Sequence, residues 1–223
     1  ADNDLNSAGR TVSNVETLNI RSTNVDNAGN AQTMTFDTAD FDDQLSTINI
    51  NTARGNNNED TVLVDNVEKS NTLNVGADAA NLDVSFGFAA GELDGSNDAA
   101  TINLQGATVD DLLAQGNLEE LTLNAGGDGA SQASAVELNN STTTVNVTGN
   151  QDLTATFNTT GGNRSTDLET LDASNAGGSV TLSVAGHGDL TASGGSGDDT
   201  LNVEVSEGLT SGTDFSVRSE EHT

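Results

Sequence analysis

One short unit keeps returning along this chain: a threonine, an aliphatic residue, then an asparagine. It stands at Thr17-Leu18-Asn19, Thr47-Ile48-Asn49, Thr72-Leu73-Asn74, Thr101-Ile102-Asn103, Thr122-Leu123-Asn124, Thr144-Val145-Asn146 and Thr200-Leu201-Asn202. Thr170-Leu171-Asp172 and Thr181-Leu182-Ser183 are close variants. In an extended strand, neighbouring side chains point to opposite faces, so the aliphatic turns inward while threonine and asparagine share the outer face. The spacings mostly fall between 19 and 30 residues, which suits the coils of a β-solenoid with loops of variable length. Stacking such coils aligns the aliphatics in core ladders and the threonines and asparagines in outer ladders.

The same alternation fills the intervening chain. Thr61–Val64 (TVLV), Leu118–Leu123 (LEELTL), Leu153–Phe157 (LTATF) and Val180–Val184 (VTLSV) all read as strands with one buried face. Clusters of Gly, Asn, Asp and Ser separate the strands and supply turns. At roughly 20–25 residues per coil and about 4.8 Å per strand, the chain makes about nine or ten coils, a rod roughly 45 Å long. The expected class is therefore all-β, a parallel β-helix. The alternative is a β-sandwich, whose sequence also shows short alternating strands. The absence of proline, tryptophan and tyrosine favours the solenoid. Two stretches predict short inserted helices. Thr108–Gln115 (TVDDLLAQ) has a capping threonine, acidic first-turn residues and apolar positions at helical spacing before Gly116, and Thr38–Leu45 (TADFDDQL) reads similarly. The phenylalanines Phe36, Phe41, Phe86, Phe88, Phe157 and Phe215 are expected to pack in the core or at coil ends.

Charge narrows the function. The 223 residues carry 35 acidic and 6 basic side chains, a formal charge of −29. Nucleic acid is excluded as a partner, because phosphate binding needs basic side chains to displace counterions. Attraction to an anionic membrane is disfavoured for the same reason, and no apolar run approaches the ~20 residues needed to span a bilayer. No basic segment precedes an apolar stretch, so no signal peptide is expected, and the start at Ala1 reads as a processed end or a fragment. With no cysteine, disulfides and thiolate chemistry are impossible. So many carboxylates on a compact fold either serve a highly charged surface or bind a divalent cation that cancels their repulsion.

The most specific motif is Gly194-Gly195-Ser196-Gly197-Asp198-Asp199-Thr200-Leu201-Asn202, which fits the nonapeptide G-G-x-G-x-D-x-U-x at each defined position. Its glycines permit a tight turn and a close approach of carbonyls to a cation, and its aspartate adds a charged oxygen. Ca²⁺, a hard cation taking six to eight oxygens, suits such donors. Here the chain resembles the RTX family of calcium-binding, type I-secreted bacterial proteins. Leu168–Val205 is similar in particular to surface-layer (S-layer) proteins of that family, through its "ETLDAS", "SVTLSV" and "GGSGDDTL" segments. Over 1–161 the likeness is only one of strand style.

The resemblance implies a β-roll held by Ca²⁺, with Gly194, Gly195 and Gly197 building the loop, Asp199 as side-chain ligand, Asp198 beside it at a variable position, and Leu201 in the core. It divides the chain into an irregular β-solenoid region, 1–161, and an RTX-like calcium-binding region, 162–223, unless the two form one continuous domain. A lone nonapeptide supplies half a site. The candidates for the other half are Asp189, Asp172, and the loops Gly126–Gly129, Gly95–Asp98 and Asn58–Asp60.

The expected function is structural: a segment of a secreted, calcium-dependent surface-layer protein that self-assembles into a cell-surface lattice, with surface polysaccharide as a further partner class. The acidic pairs Asp42-Asp43, Asp110-Asp111 and Glu119-Glu120 are candidate calcium bridges between copies. The alternative is a repeat region of a large RTX-type adhesin whose outer ladders contact carbohydrate or ice, although the uneven spacing of the units speaks against an ice-matched array. Catalysis is not expected. The only histidines, His187 and His222, and the scattered arginines form no pattern of base and cation that acid–base chemistry requires.

Overall fold

The computed structural model describes residues 12–21, 33–41, 44–51, 60–76, 82–139, 141–158, 168–185, 190–204 and 215–218. In chain order its strands begin with β1 (Thr17–Ile20), β2 (Thr33–Asp37), β3 (Thr47–Ile50), β4 (Asp60–Val67), β5 (Thr72–Val75) and β6 (Leu82–Phe88). They continue with β7 (Ala99–Gln105), β8 (Thr108–Gln115), β9 (Glu120–Gly126), β10 (Ser131–Glu137), β11 (Thr144–Gly149) and β12 (Leu153–Asn158). The last are β13 (Thr170–Ala176), β14 (Val180–Ala185), β15 (Leu190–Ser193), β16 (Thr200–Glu204) and β17 (Phe215–Arg218). The odd-numbered strands form one nine-stranded sheet in sequence order, and the even-numbered strands form one eight-stranded sheet. Each circuit of the chain thus adds one strand to each sheet. Every pairing is parallel, so the fold is a parallel β-solenoid and not a sandwich of antiparallel hairpins.

The core lies between the sheets and is built from stacked columns. On the odd sheet, Leu18, Ile48, Leu73, Ile102, Leu123 and Val147 face one another in register. On the even sheet, Val62, Val84, Leu112, Val136, Phe157, Val184 and Val203 do the same. Ile48, Ile102, Leu123 and Val136 are completely buried, and each such side chain contributes about 1.5–3 kcal/mol of hydrophobic stabilisation. Phe86 and Phe157 are buried in this core, while Phe36, Phe41 and Phe88 pack against it partly buried.

Outside, the asparagines form the expected ladder. Asn49 Nδ2 donates to Asn19 Oδ1 at 2.8 Å, Asn74 to Asn49 at 2.7 Å, Asn103 to Asn74 at 2.9 Å and Asn124 to Asn103 at 2.9 Å. All four bonds run the same way, so the amide dipoles add along the stack. The ladder stops at β11 because the register slips there by two residues: Asn124 faces Thr148, and Asn146 faces Thr122. A slip of two keeps every aliphatic on the core face.

Neither predicted inserted helix forms. Thr108–Gln115 is strand β8, and Thr38–Leu45 holds only a single 3-10 turn at Thr38–Asp40 among the described residues. In β8 the pleat breaks at Asp110-Asp111, both half-exposed, so the buried positions are Val109, Leu112 and Ala114. That spacing of three then two imitates a helical stripe. The irregularity is shared with β10 and resolved at β12, where the register jumps between Ala133 and Val136.

Candidate metal site

The loop Gly194–Asp199 joins β15 to β16 and lies flat on the previous circuit. A Cβ on Gly195 would stand 2.3 Å from the carbonyl oxygen of Ala176, and one on Gly197 would stand 2.6 Å from that of Gly178. No other residue fits there, which is the physical reason for those two glycines. Gly194 serves differently: its Cβ would sit 2.6 Å from Asp199 Oδ2, in the space the carboxylate occupies. The Ser196 N–H donates to Ala176 O at 2.9 Å, and the Asp198 N–H to Ser179 Oγ at 3.1 Å.

Asp199 ties this loop both to itself and to its neighbour. Its Oδ2 accepts from the Gly195 N–H at 2.6 Å, and its Oδ1 accepts from the Val180 N–H of the circuit before at 3.0 Å. The Asp198 side chain points out and is exposed. A carboxylate has about four acceptor positions, so two backbone donors leave Asp199 with capacity for a cation. With the nearby carbonyl oxygens, the donors are hard and of the right kind for calcium, and they amount to part of a six- to eight-oxygen shell. The donor chemistry is of the kind a calcium half-site offers, without a gathered set of carboxylates among the described residues.

Of the proposed second-half residues that the structure describes, Asp172 is bonded to Ser193 beside this loop, and the others lie circuits away or on the opposite edge. Asp189 and His187 lie outside the described residues, as do Asn58, Glu59, Asp42, Asp43 and His222. Asp172 stands on the outer face of β13, where its Oδ1 accepts from Ser193 Oγ at 2.6 Å and the Ser174 N–H at 2.9 Å. The Ser193 hydroxyl, and then the Ser174 N–H, hold its carboxyl below the ordinary range. Asp128, in the Gly126–Gly129 loop, shares the 194–199 edge but is three circuits away and exposed. Asp60 is buried at the head of β4.

The Gly95–Asp98 loop is on the opposite edge, leading from an even strand to an odd one. There the buried Asp98 already has a cation of the protein's own: Lys69 Nζ lies 3.0 Å from Oδ1, and the Gly95 N–H donates to Oδ2 at 2.8 Å. The hydrogen bond from Lys69 holds this carboxyl low, and the same bond raises the lysine. Of the acidic pairs, Glu119 accepts from the Asp98 N–H at 2.7 Å and Glu120 from Asn146 Nδ2 at 2.6 Å. Asp110 and Asp111 stand outward at the β8 irregularity.

Two residues that sequence reading overlooked belong to the same edge as Asp199. Asp152 Oδ1 accepts from the Ser179 N–H at 2.8 Å, and Ser179 in turn holds Asp198. Asp152 precedes an aliphatic that opens a strand, just as Asp199 does one residue further off, and that placement was the available signal. Among the described residues, no three histidine, aspartate or glutamate side chains come together as a metal cage, and no helix is long and apolar enough to cross a membrane. Compared with protein-family models, with curated proteins and with solved structures, the chain matches none.

Proposed function

We propose that this chain is a structural segment of a secreted bacterial surface-layer protein, a stiff rod whose edge loops take up calcium and whose copies assemble into a cell-surface lattice. The reading rests on the Gly194–Asp199 loop. A G-G-x-G-x-D turn is pressed against its neighbouring circuit, with a carboxylate spanning the joint between the two. Gly194, Gly195 and Gly197 shape that half-site, and Asp199 is the charged ligand. A bound cation there would supply positive charge that a chain of −29 otherwise lacks. Type I secretion accompanies the same resemblance to RTX proteins, and surface polysaccharide is a further partner class. The role is structural, not catalytic.

A calcium count per chain by equilibrium dialysis, together with electron microscopy in millimolar calcium and in chelator, tests this. Calcium-dependent two-dimensional sheets support the lattice. Bound calcium with monodisperse rods supports the adhesin repeat instead. No bound calcium and an identical thermal melt in chelator would overturn both.

A further inference from the structure

The two outward faces of the first circuits carry opposite chemistry. On the even sheet, Asp37, Asp65, Asp83, Asp110, Asp111 and Glu137 all stand on the outer side. On the odd sheet, the outward positions of β1, β3, β5 and β7 are threonine, asparagine, alanine and glutamine throughout. β9 adds one carboxylate, Glu120, which is tied to Asn146. A chain of net charge −29 repels its own copies over most of its surface. A face nearly without charge is where that repulsion is least.

This face is also periodic. Asn49 and Asn74 each spend one N–H and one oxygen lone pair on their ladder neighbours, Asn103 donates in addition to the Leu73 carbonyl at 3.3 Å, and the remaining amide capacity lies beside outward threonines on the same face. The pattern repeats about every 4.8 Å, the strand spacing. A second copy of the chain has the identical period, so its donors and acceptors stay in step along the whole stack. A polymer of any other repeat drifts out of step within a few rungs.

We propose that the outer face of β1, β3, β5, β7 and β9, neutral but for Glu120, is where two copies of this chain meet, in a two-fold arrangement of like against like. The proposal rests on, and deepens, the self-assembly reading above. Five strands cover about 20 Å, and with a strand length of about 15–20 Å the pair buries on the order of 700 Å². A stable pair usually buries about 1,200–2,000 Å². The contact is therefore weak between two copies and accumulates in an array.

Sedimentation velocity on the whole chain in calcium, from micromolar to millimolar concentration, tests the proposal. The wild type is expected to associate as concentration rises. Thr72→Glu with Thr101→Glu, at two exposed outward positions, places like charges face to face and should weaken association about tenfold or more. Gln132→Glu with Ser134→Glu adds the same charge at exposed outward positions of β10 on the other sheet and should change nothing. Circular dichroism confirms folding, and the single Thr101→Glu replaces the pair if the pair does not fold. A wild type that stays monomeric throughout, or an equal loss in both variants, overturns the proposal. So does a monomeric wild type that binds a neutral glucan or shapes ice through this face. Calcium-induced sheets that form equally well from Thr72→Glu/Thr101→Glu overturn the face and leave the lattice standing. Paired copies without sheets do the reverse.

Discussion

Replacing Asp199 by asparagine separates the two roles of that carboxylate. As a brace, it accepts from the Gly195 and Val180 N–H groups, one on each oxygen. Asparagine can keep one of these bonds, but its amide NH₂ then faces the other donor. The loss is one hydrogen bond to a charged acceptor, about 1.5–3 kcal/mol where water is excluded. Because Asp199 is exposed, water takes up part of the demand and the cost falls to about 1–1.5 kcal/mol. At about 2–4 °C per kcal/mol for a chain of this size, the melt in chelator drops by about 2–6 °C. As a calcium ligand, Asp199 adds a second effect. With a dissociation constant of ~0.1–1 mM, as in extracellular calcium modules, ~10 mM calcium stabilises the wild type by about 1.4–2.7 kcal/mol, or about 3–11 °C. Asp199→Asn should lose most of that calcium shift. Thermal melts by circular dichroism, with and without chelator, read both numbers. An equal calcium shift in variant and wild type would refute the ligand role, and no shift in the wild type would show the joint to be held by hydrogen bonds alone.

Three further perturbations probe the stack. Burial, and then the neighbouring Asp37, raise the Asp65 carboxyl above its ordinary range, so the folded chain binds that proton more tightly than the unfolded one and stability falls as pH rises through the raised value. Asp65→Asn should therefore melt higher than wild type at pH 7, with the gap closing as pH falls to about 4. Gly149 has a φ of +104°, and a Cβ there would lie 2.0 Å from Ala125 O. Gly149→Ala should cost about 3 kcal/mol or more in chemical denaturation, since backbone on both sides must move. Asn103→Ala removes two ladder bonds and a longer one to the Leu73 carbonyl, whereas Asn19→Ala removes one ladder bond at the exposed end. The middle rung should cost about 1–2 kcal/mol and the end rung about half that or less, and equal costs would argue against cooperativity along the ladder.

How much of this was legible in the sequence depended on which part of a circuit a residue occupies. Strands repeat one physical demand, an aliphatic inward and small polar residues outward, so Thr47-Ile48-Asn49 and Thr72-Leu73-Asn74 announce both their face and their register. The exceptions are places where two residues share one pleat position, as at Asp110-Asp111, or where register shifts by an even number, as between β9 and β11. Neither changes the composition of a strand. Turns are harder to read, because a Gly-rich segment ending in aspartate specifies a carboxylate near backbone N–H groups and leaves the counter-charge open. Gly95–Asp98 and Gly194–Asp199 look alike as sequences, and in both an aspartate accepts from a glycine N–H at the head of its loop.

What distinguishes the two loops is Lys69, twenty-nine residues away from Asp98 in the chain and adjacent in space. It is the only lysine, and it supplies from the protein the positive charge that Asp199 would take from calcium. The reasoning predicts a specific behaviour of Lys69→Met. Wild-type Asp98 has its carboxyl held low, first by the hydrogen bond from Lys69, so the stability it contributes is present above the ordinary carboxylate value of about 3.9 and is lost as pH falls below it. Without the lysine, that acid-dependent part shrinks. The variant should melt lower than wild type at pH 7, approach it near pH 3, and regain part of the difference at pH 7 when a divalent cation is added, because a buried carboxylate without a partner seeks one. A pH series of melts in chelator and in calcium reads all three outcomes. If the gap between Lys69→Met and wild type stays constant from pH 7 to pH 3 and ignores calcium, the lysine packs against the loop through its alkyl chain, and the idea that one loop carries its own cation while the other must import one fails.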